Sequence, residues 1–346
     1  MNAKKINGLT VTISSDKGWD EYAMNHPASS FFHLYGWGEA FKEVFGFRNI
    51  YLEAVIDNKI CGILPLILAK TASGRSLISI PIGIYAGALA DNELIEQALI
   101  ERAKELTKEF GCGYLELRNL NRKVNDLPSK DLYVTFIKKL PERPEECLAL
   151  MPQHARAAAR HAINEGLTFD VGLSYLEECY KIYAINQKEL GSPVVSRKWF
   201  NALVRLFKGK TNILVVKSGN RCIASVLTFF YKDTVLPFYG ACIPGFFSLN
   251  PNNYMYLKLQ EYGVEKGYKL FDFGRSRKDA GTYHFKINQG FEPMQLYYQY
   301  YLHKAKRIPE ISPSNKSFNL AKKIWSHLPL CITKFLGPKV FKYVMP

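Results

Sequence analysis

Between Phe271 and Pro293 the chain reads FDFGRSRKDAGTYHFKINQGFEP. Lys286 in this run could stabilise the oxyanion that forms when an amine attacks an ester, an interaction worth about 3 kcal/mol. Tyr283 and Phe285 beside it could wall off water. The other reading makes Lys286 a surface lysine next to core aromatics. Arg275 and Arg277 follow Gly274, which permits an unusual turn, and a guanidinium can fork onto phosphate or carboxylate. Asp272 either pairs with Arg275 or acts as a general base on the amine.

A second basic group lies in QHARAAARHAINEGL, residues 153–167. Arg156 and Arg160 are spaced i,i+4 and share a helix face. Like charges repel there unless an anion lies across them, and the intervening alanines keep the face flat. A solvated basic helix rich in a good helix former is the bland alternative. Tyr35, Trp37 and Lys42 fall on or near a predicted helix at 35–45, where Trp37 and Phe41 also have core spacing. Tyr239, in VLPFYGACI, and Asn253, at the head of the following helix, complete the candidate binding set. His33, His154, His161 and His284 show no HxxxH or HxxE spacing, so no metal site is expected.

These residues sit in a pattern that occurs twice. YLEAVIDNKICGILPLIL around 52–68 matches ILVVKSGNRCIASVLTFF around 213–230: strand, polar turn, and a second strand opening on a cysteine, Cys61 or Cys222. Each hairpin is followed by an apolar stretch, then an amphipathic helix, Asn92–Phe110 or Asn253–Lys266. A Gly-Tyr then leads into GYLELR or GYKLFDFG, which sets Glu116 opposite Asp272. A late strand, YVTFIKKL (133–140) or MQLYYQYYL (294–302), is expected to close each copy. The offset is about 160 residues throughout, the mark of a duplicated domain. PERPEE at 141–146 reads as the joint. The expected domains are therefore 1–143 and 144–303, followed by a tail, 304–346.

Hairpins on one side and a strand–helix–strand crossover on the other predict an α/β fold with mixed sheets. That order is the order of the acyl-CoA N-acyltransferase (GNAT) fold. The GRS…GTYHFK block, with FFHLYGWGEAFKEVFGF (31–47), the basic helix at 153–167 and GSPVVSRKWF (191–200), resembles the Fem family of tandem-GNAT enzymes. It is most similar to the FemAB-related branch associated with exosortase and exopolysaccharide gene clusters. The resemblance covers about residues 10–303. It implies two GNAT-like domains and transfer of an aminoacyl group from aminoacyl-tRNA to an amine on a cell-wall precursor. It implies no covalent enzyme intermediate. It also sets Phe285-Lys286 at the reacting ester, and Lys42, Arg156 and Arg160 at precursor phosphates. Some members use a first-domain carboxylate as base, which the resemblance does not locate here.

An acetyl-CoA-binding GNAT domain usually opens its central helix with Arg/Gln-x-x-Gly-x-Gly/Ala, which turns backbone N–H groups onto the pyrophosphate. YAGALADNEL (85–94) and FFSLNPNNYMYL (246–257) lack that glycine spacing. This favours a tRNA ester over acyl-CoA as donor, with no bound cofactor. An acyl-CoA enzyme acting on an exopolysaccharide amino sugar and a non-catalytic envelope-binding protein are the rival expectations.

The net charge of +15 suits an anionic partner: a nucleotide- or lipid-phosphate sugar, or tRNA. Seven scattered cysteines without a CxxC argue against a disulfide framework. The first residues lack the apolar core of a signal peptide, and no run is long enough to span a bilayer, so a cytoplasmic protein is expected. The tail 304–346 holds nine Lys/Arg against one acid, Glu310, together with Trp325 and several Phe and Leu. It suits two short helices split at Pro329 and Pro338. They either lie on an anionic membrane surface or pack as ordinary terminal helices.

Overall fold

The computed structural model describes residues 8–14, 17–71, 74–120, 123, 124, 127–309 and 316–344. The chain forms two compact units. Unit 1 comprises Met1–Tyr133, Gln295–Ile311 and Lys342–Pro346; unit 2 comprises Val134–Met294 and Ser312–Phe341.

In unit 1, strands β1 (Thr10–Ile13), β2 (Arg48–Ile56), β3 (Lys59–Thr71) and β4 (Gly74–Ile78) pair antiparallel in sequence order. Strand β5 (Tyr114–Leu120) then lies parallel to β4. Unit 2 repeats the pattern. After β6 (Ile137–Lys139), strands β7 (Thr168–Val171), β8 (Thr211–Ser218), β9 (Arg221–Tyr231) and β10 (Thr234–Cys242) pair antiparallel, and β11 (Leu270–Asp272) lies parallel to β10.

The hairpins are built alike because their turns demand it. Asp57 and Asn58 both take positive φ, 48° and 60°, as a two-residue type I′ turn requires. Gly219 does so at 56° in the equivalent turn. Each hairpin carries a bulge at the same place, between Ala54 and Val55 and between Val216 and Lys217. This register corrects the cysteine match. Ile60, not Cys61, is the counterpart of Cys222: Ile60 pairs with Val55 as Cys222 pairs with Lys217, and Cys61 occupies the bulge.

The closing strands depart from the expected order. Strand β12 (Met294–Leu302) lies in the sheet of unit 1, antiparallel to β5 with Tyr300 opposite Glu116. Strand β6 completes the sheet of unit 2, antiparallel to β11 with Ile137 opposite Asp272. The strand expected to close unit 2 thus lies in the sheet of unit 1, and residues 137–139 of the one expected to close unit 1 lie in the sheet of unit 2, so a boundary at 143 would part β6 from its partner. Strand β6 has only three residues, Ile137, Lys138 and Lys139, too few for a local pattern to choose a sheet.

The helices follow their capping and spacing. Helix α1 (Trp19–Asn25) starts after Gly18 at φ 81°, later than the Ser14-Ser15 cap expected; Ser15 and Asp16 lie outside the described residues. Helix α2 (Tyr35–Phe45) buries Trp37, Ala40 and Phe41. Helix α3 (Glu93–Glu109) is capped by Asn92, whose side chain accepts from Leu94 and Ile95 N–H at 3.1 Å. It lays Ile95, Leu99, Ala103 and Leu106 on the sheet of unit 1.

Past the joint the chain forms a short helix, Glu146–Ala149, and then α4 (Gln153–Asn164), separated at Pro152, which cannot continue the first. Gly166, at φ 73°, ends α4 as predicted. Helices α5 (Leu176–Glu189), α6 (Arg197–Leu206, capped by Ser196) and α7 (Pro251–Glu265) follow. Helix α8 (Gly281–Asn288) was not read from the sequence as a helix.

The tail forms α9 (Lys316–His327) and α10 (Leu330–Val344). Pro338 lies within α10 instead of dividing it, at the loss of one intrahelical hydrogen bond. Among the described residues no helix is long and apolar enough to cross a membrane.

Candidate active site

Strands β10 and β11 pair through only two residues each, Thr234 with Leu270 and Val235 with Phe271. Beyond these β10 stays with β9, with a bulge at Phe238 opposite Leu227 and Thr228. A crevice therefore opens at the carboxyl end of β11, where ligands of open α/β sheets bind. Asp272, 1% exposed, ends β11 at this point. Its Oδ1 accepts from Thr135 Oγ1 and from Gly274 N–H, both at 2.9 Å. Gly274 takes φ 75°, so the chain turns sharply.

Helix α8 carries Lys286 back onto that turn. Lys286 Nζ donates to Gly274 O at 2.8 Å and to Arg275 O at 3.1 Å. It lies 5.4 Å from the centre of the Phe136 ring and 5.3 Å from that of Phe273. Lys286 is only 7% exposed, so it is not a surface lysine. Burial drives its pKa down to about 7, with Asp272 pulling it up and Arg275 pushing it down. Near neutral pH the side chain is divided between ammonium and amine.

Tyr283 and Phe285, both half-buried, extend the aromatic wall. The Tyr283 ring is 5.6 Å from Phe136, and Phe285 is 5.8 Å from Tyr256. Tyr256 lies so close to β10 that a Cβ on Gly240 would stand 2.2 Å from its hydroxyl. Ser276 Oγ and Gln289 Oε1, one residue past Arg275 and one turn past Lys286, are buried with no hydrogen-bond partner in the protein. Thr135, Phe136, Ser276 and Gln289 were not predicted. Thr135 and Phe136 arrive through strand pairing, and nothing local in the sequence marks that.

Of the other predicted residues, two adjoin this turn and the rest lie on other elements. Arg275 and Arg277 are half-buried beside it. Asn253 is half-buried in the first turn of α7, and Tyr239 on β10 accepts a hydrogen bond from Trp199 Nε1 at 2.9 Å. Arg156 bridges the Pro152 break by donating to Ala149 O at 3.0 Å, and Arg160 is exposed. The alanines of α4 have a different use from the flat binding face expected: Ala155 and Ala159 are buried against Leu257 of α7. In unit 1, Tyr35 and Lys42 line one cavity of about 380 Å³ with Glu39, Arg48, Asn49 and Tyr51. Trp37 is wholly buried against Phe31 and Phe32 and offers no face to a ligand.

The equivalent end of β5 in unit 1 is arranged differently. Strands β4 and β5 also pair through two residues each, but the following segment leaves β3 and hydrogen-bonds β5 through Ser79 N–H to Glu116 O and Ala86 N–H to Arg118 O. It rejoins β3 only at Leu89 and Ala90. Arg118, 1% exposed, is bound to Glu116 at 2.8 Å and to Gly83 O at 2.9 Å. Ile80 and Ile82 take positive φ, 61° and 64°, costly for β-branched residues. A cavity of about 270 Å³ remains beside this segment, lined by His33, Gly87, Asn119 and Leu120 and by Asn92 and Glu96 at the head of α3.

Residues 117–287 match the family model described as an acetyltransferase (GNAT) domain. Just under half of the chain is thus similar to a GNAT acyltransferase domain. Its match runs through β10, the crevice and α8 to Ile287. The crystal structure of FemX is similar over 85% of this chain and 98% of that one, at 15% identity and a TM-score of 0.66. A tandem GNAT protein from the clavulanic acid biosynthesis pathway covers 85% of this chain and 98% of its own, at 11% identity and TM-score 0.53. A conserved protein of unknown function from Bacteroides thetaiotaomicron covers 85% and 100%, at 11% identity and TM-score 0.56. At these identities the likeness is one of fold. No curated protein matches the sequence. The mixed-sheet GNAT-like architecture expected from the sequence is therefore present.

Proposed function

We propose that this GNAT-type N-acyltransferase moves an aminoacyl group from aminoacyl-tRNA to an amine on an anionic cell-envelope precursor, a nucleotide- or lipid-phosphate sugar. The observation that carries the reading is the buried Lys286 at the crevice, with two of its three N–H donors fixed on the Gly274-Arg275 turn. The third donor serves the ester oxygen as it becomes an oxyanion. The N–C bond forms, the ester C–O bond breaks, and the amine proton ends on the leaving hydroxyl. Tyr283 and Phe285 keep water from the ester. Arg275 and Arg277 engage anionic groups of the ligand, as do Arg156 and Arg160 elsewhere on unit 2. The Tyr35–Lys42 cavity is a separate anion position on unit 1. With a tRNA donor the reaction belongs to the cytoplasm.

The head of α7 supports the donor assignment. It begins with Asn250 at φ 53° followed by Pro251, not with the glycines that let backbone N–H groups close on a pyrophosphate. The acetyltransferase description of the matching model supports the alternative donor, an acyl-CoA. The two are separated by supplying charged tRNA or acetyl-CoA with an amino-sugar or peptidyl precursor and detecting the amide by mass spectrometry. Amide formed from tRNA alone supports the proposal. Amide formed only from acetyl-CoA moves the donor to a thioester. No amide from either favours a non-catalytic envelope-binding protein.

A further inference from the structure

The two C-terminal helices are seated on unit 2 by their small and polar sides. A Cβ on Gly337 would lie 2.9 Å from the backbone N and O of Val194, so only glycine lets α10 approach this closely. Thr333, one turn earlier, is fully buried. Helix α9 is held the same way: a Cβ on Gly191 would lie 2.6 Å from Lys322 O. With those sides inward, the apolar stripe turns outward. Leu320 and Ile324 (i,i+4) are 61% and 57% exposed, and Phe335 is 67% exposed. Ile332, Leu336 and Val340, at i,i+4,i+8, are also exposed beside it. Helices that pack through glycine and show phenylalanine to solvent have another surface to meet.

The charges say which kind. Lys323 and Lys339 flank the stripe, further lysines follow along both helices, and no Asp or Glu occurs after Glu310. A second copy of this face would bring cation against cation. A nucleic acid would take the lysines and leave the apolar side chains in water. We propose that the outer face of α9 and α10 docks on an anionic lipid bilayer, with Leu320, Ile324 and Phe335 in the interfacial layer and the lysines among the headgroups. Neither helix is long and apolar enough to span, so the contact is peripheral.

The test is sedimentation of the full chain with phosphatidylcholine vesicles, with and without phosphatidylglycerol, at low and high salt. Binding is expected only with phosphatidylglycerol, and weaker in high salt. Lys339→Glu should weaken it by at least about fivefold. The pair Leu320→Asp and Phe335→Asp should weaken it at least about tenfold. Both side chains are mostly in solvent, so the melting temperature should not change, and it is measured to show that the fold is kept. No binding to either vesicle, equal binding to both, or undiminished binding by the Asp pair would overturn the proposal. So would concentration-dependent dimerisation that the Asp pair abolishes, which would assign the face to a second copy.

Discussion

Asp272 and Lys286 grip one residue from opposite ends: the carboxylate accepts the N–H of Gly274, and the ammonium donates to the carbonyl of Gly274. The left-handed Gly274 between them therefore has both of its peptide groups fixed by buried side chains. The turn is preorganised, so the cost of arranging it is met in folding, not at the reaction.

Activity should fall as pH rises through about 7, where Lys286 loses its proton, if the ammonium serves the oxyanion. A rate that climbs through the same range would make the lysine a base and sink that role. Lys286→Met should lower kcat by about 10²- to 10³-fold. The measurement is kcat against pH for both proteins.

The same lysine should leave a mark on stability. Its folded pKa lies below its unfolded value, so between about pH 7 and pH 10 the unfolded chain binds more protons and stability rises with pH. The effect is at most ~1.4 kcal/mol per pH unit. The melting temperature should therefore rise with pH relative to that of Lys286→Met. Parallel curves would show that the lysine is not buried in solution.

Asp272→Asn keeps an oxygen for Thr135 and Gly274 but removes the charge that holds the Lys286 pKa up. The pH at which activity is lost should move lower. Asp272→Ala should instead cost about 1–3 kcal/mol of stability by leaving buried donors unmet. Urea unfolding and the pH–rate profile distinguish the two effects.

Most of the secondary structure was legible from pattern: the hairpins and the crossover helices follow from local spacing. The partner of each closing strand was not, because the three residues of β6 carry no pattern that names a sheet and pairing is decided at long range. The site was half legible for the same reason. Asp272, Lys286 and the Gly274 turn lie within one run of sequence, whereas Thr135 and Phe136 reach them only through long-range strand pairing. The burial of Lys286 was missed because a lysine in a polar run gives no sign of the rings packed round it.

In unit 1 the buried Arg118–Glu116 pair should matter for folding and not for turnover. Glu116→Leu strands the guanidinium and should cost about 3–5 kcal/mol, read by urea unfolding. At a temperature where the variant stays folded, kcat should be unchanged. A selective loss of kcat without loss of stability would place chemistry in unit 1.

Gly38 offers a test of packing. A Cβ there would stand 2.0 Å from the Tyr51 hydroxyl, which accepts from Gly38 N–H and donates to Tyr35 O. Gly38→Ala should cost about 1–3 kcal/mol, and Tyr51→Phe should recover part of it in the double variant. Additive losses in a thermal-melt cycle would show that the two do not meet.

The closing strands also govern how the protein can be made. The amino-terminal sheet lacks its β12 partner until the ribosome has passed Leu302, so β5 emerges with an open edge and must wait. A nascent chain in that state is exposed to strand addition by its neighbours. A gene cut at residue 143 would yield two fragments that each carry the other's missing strand. Mixed together, they could complete both sheets only by complementation.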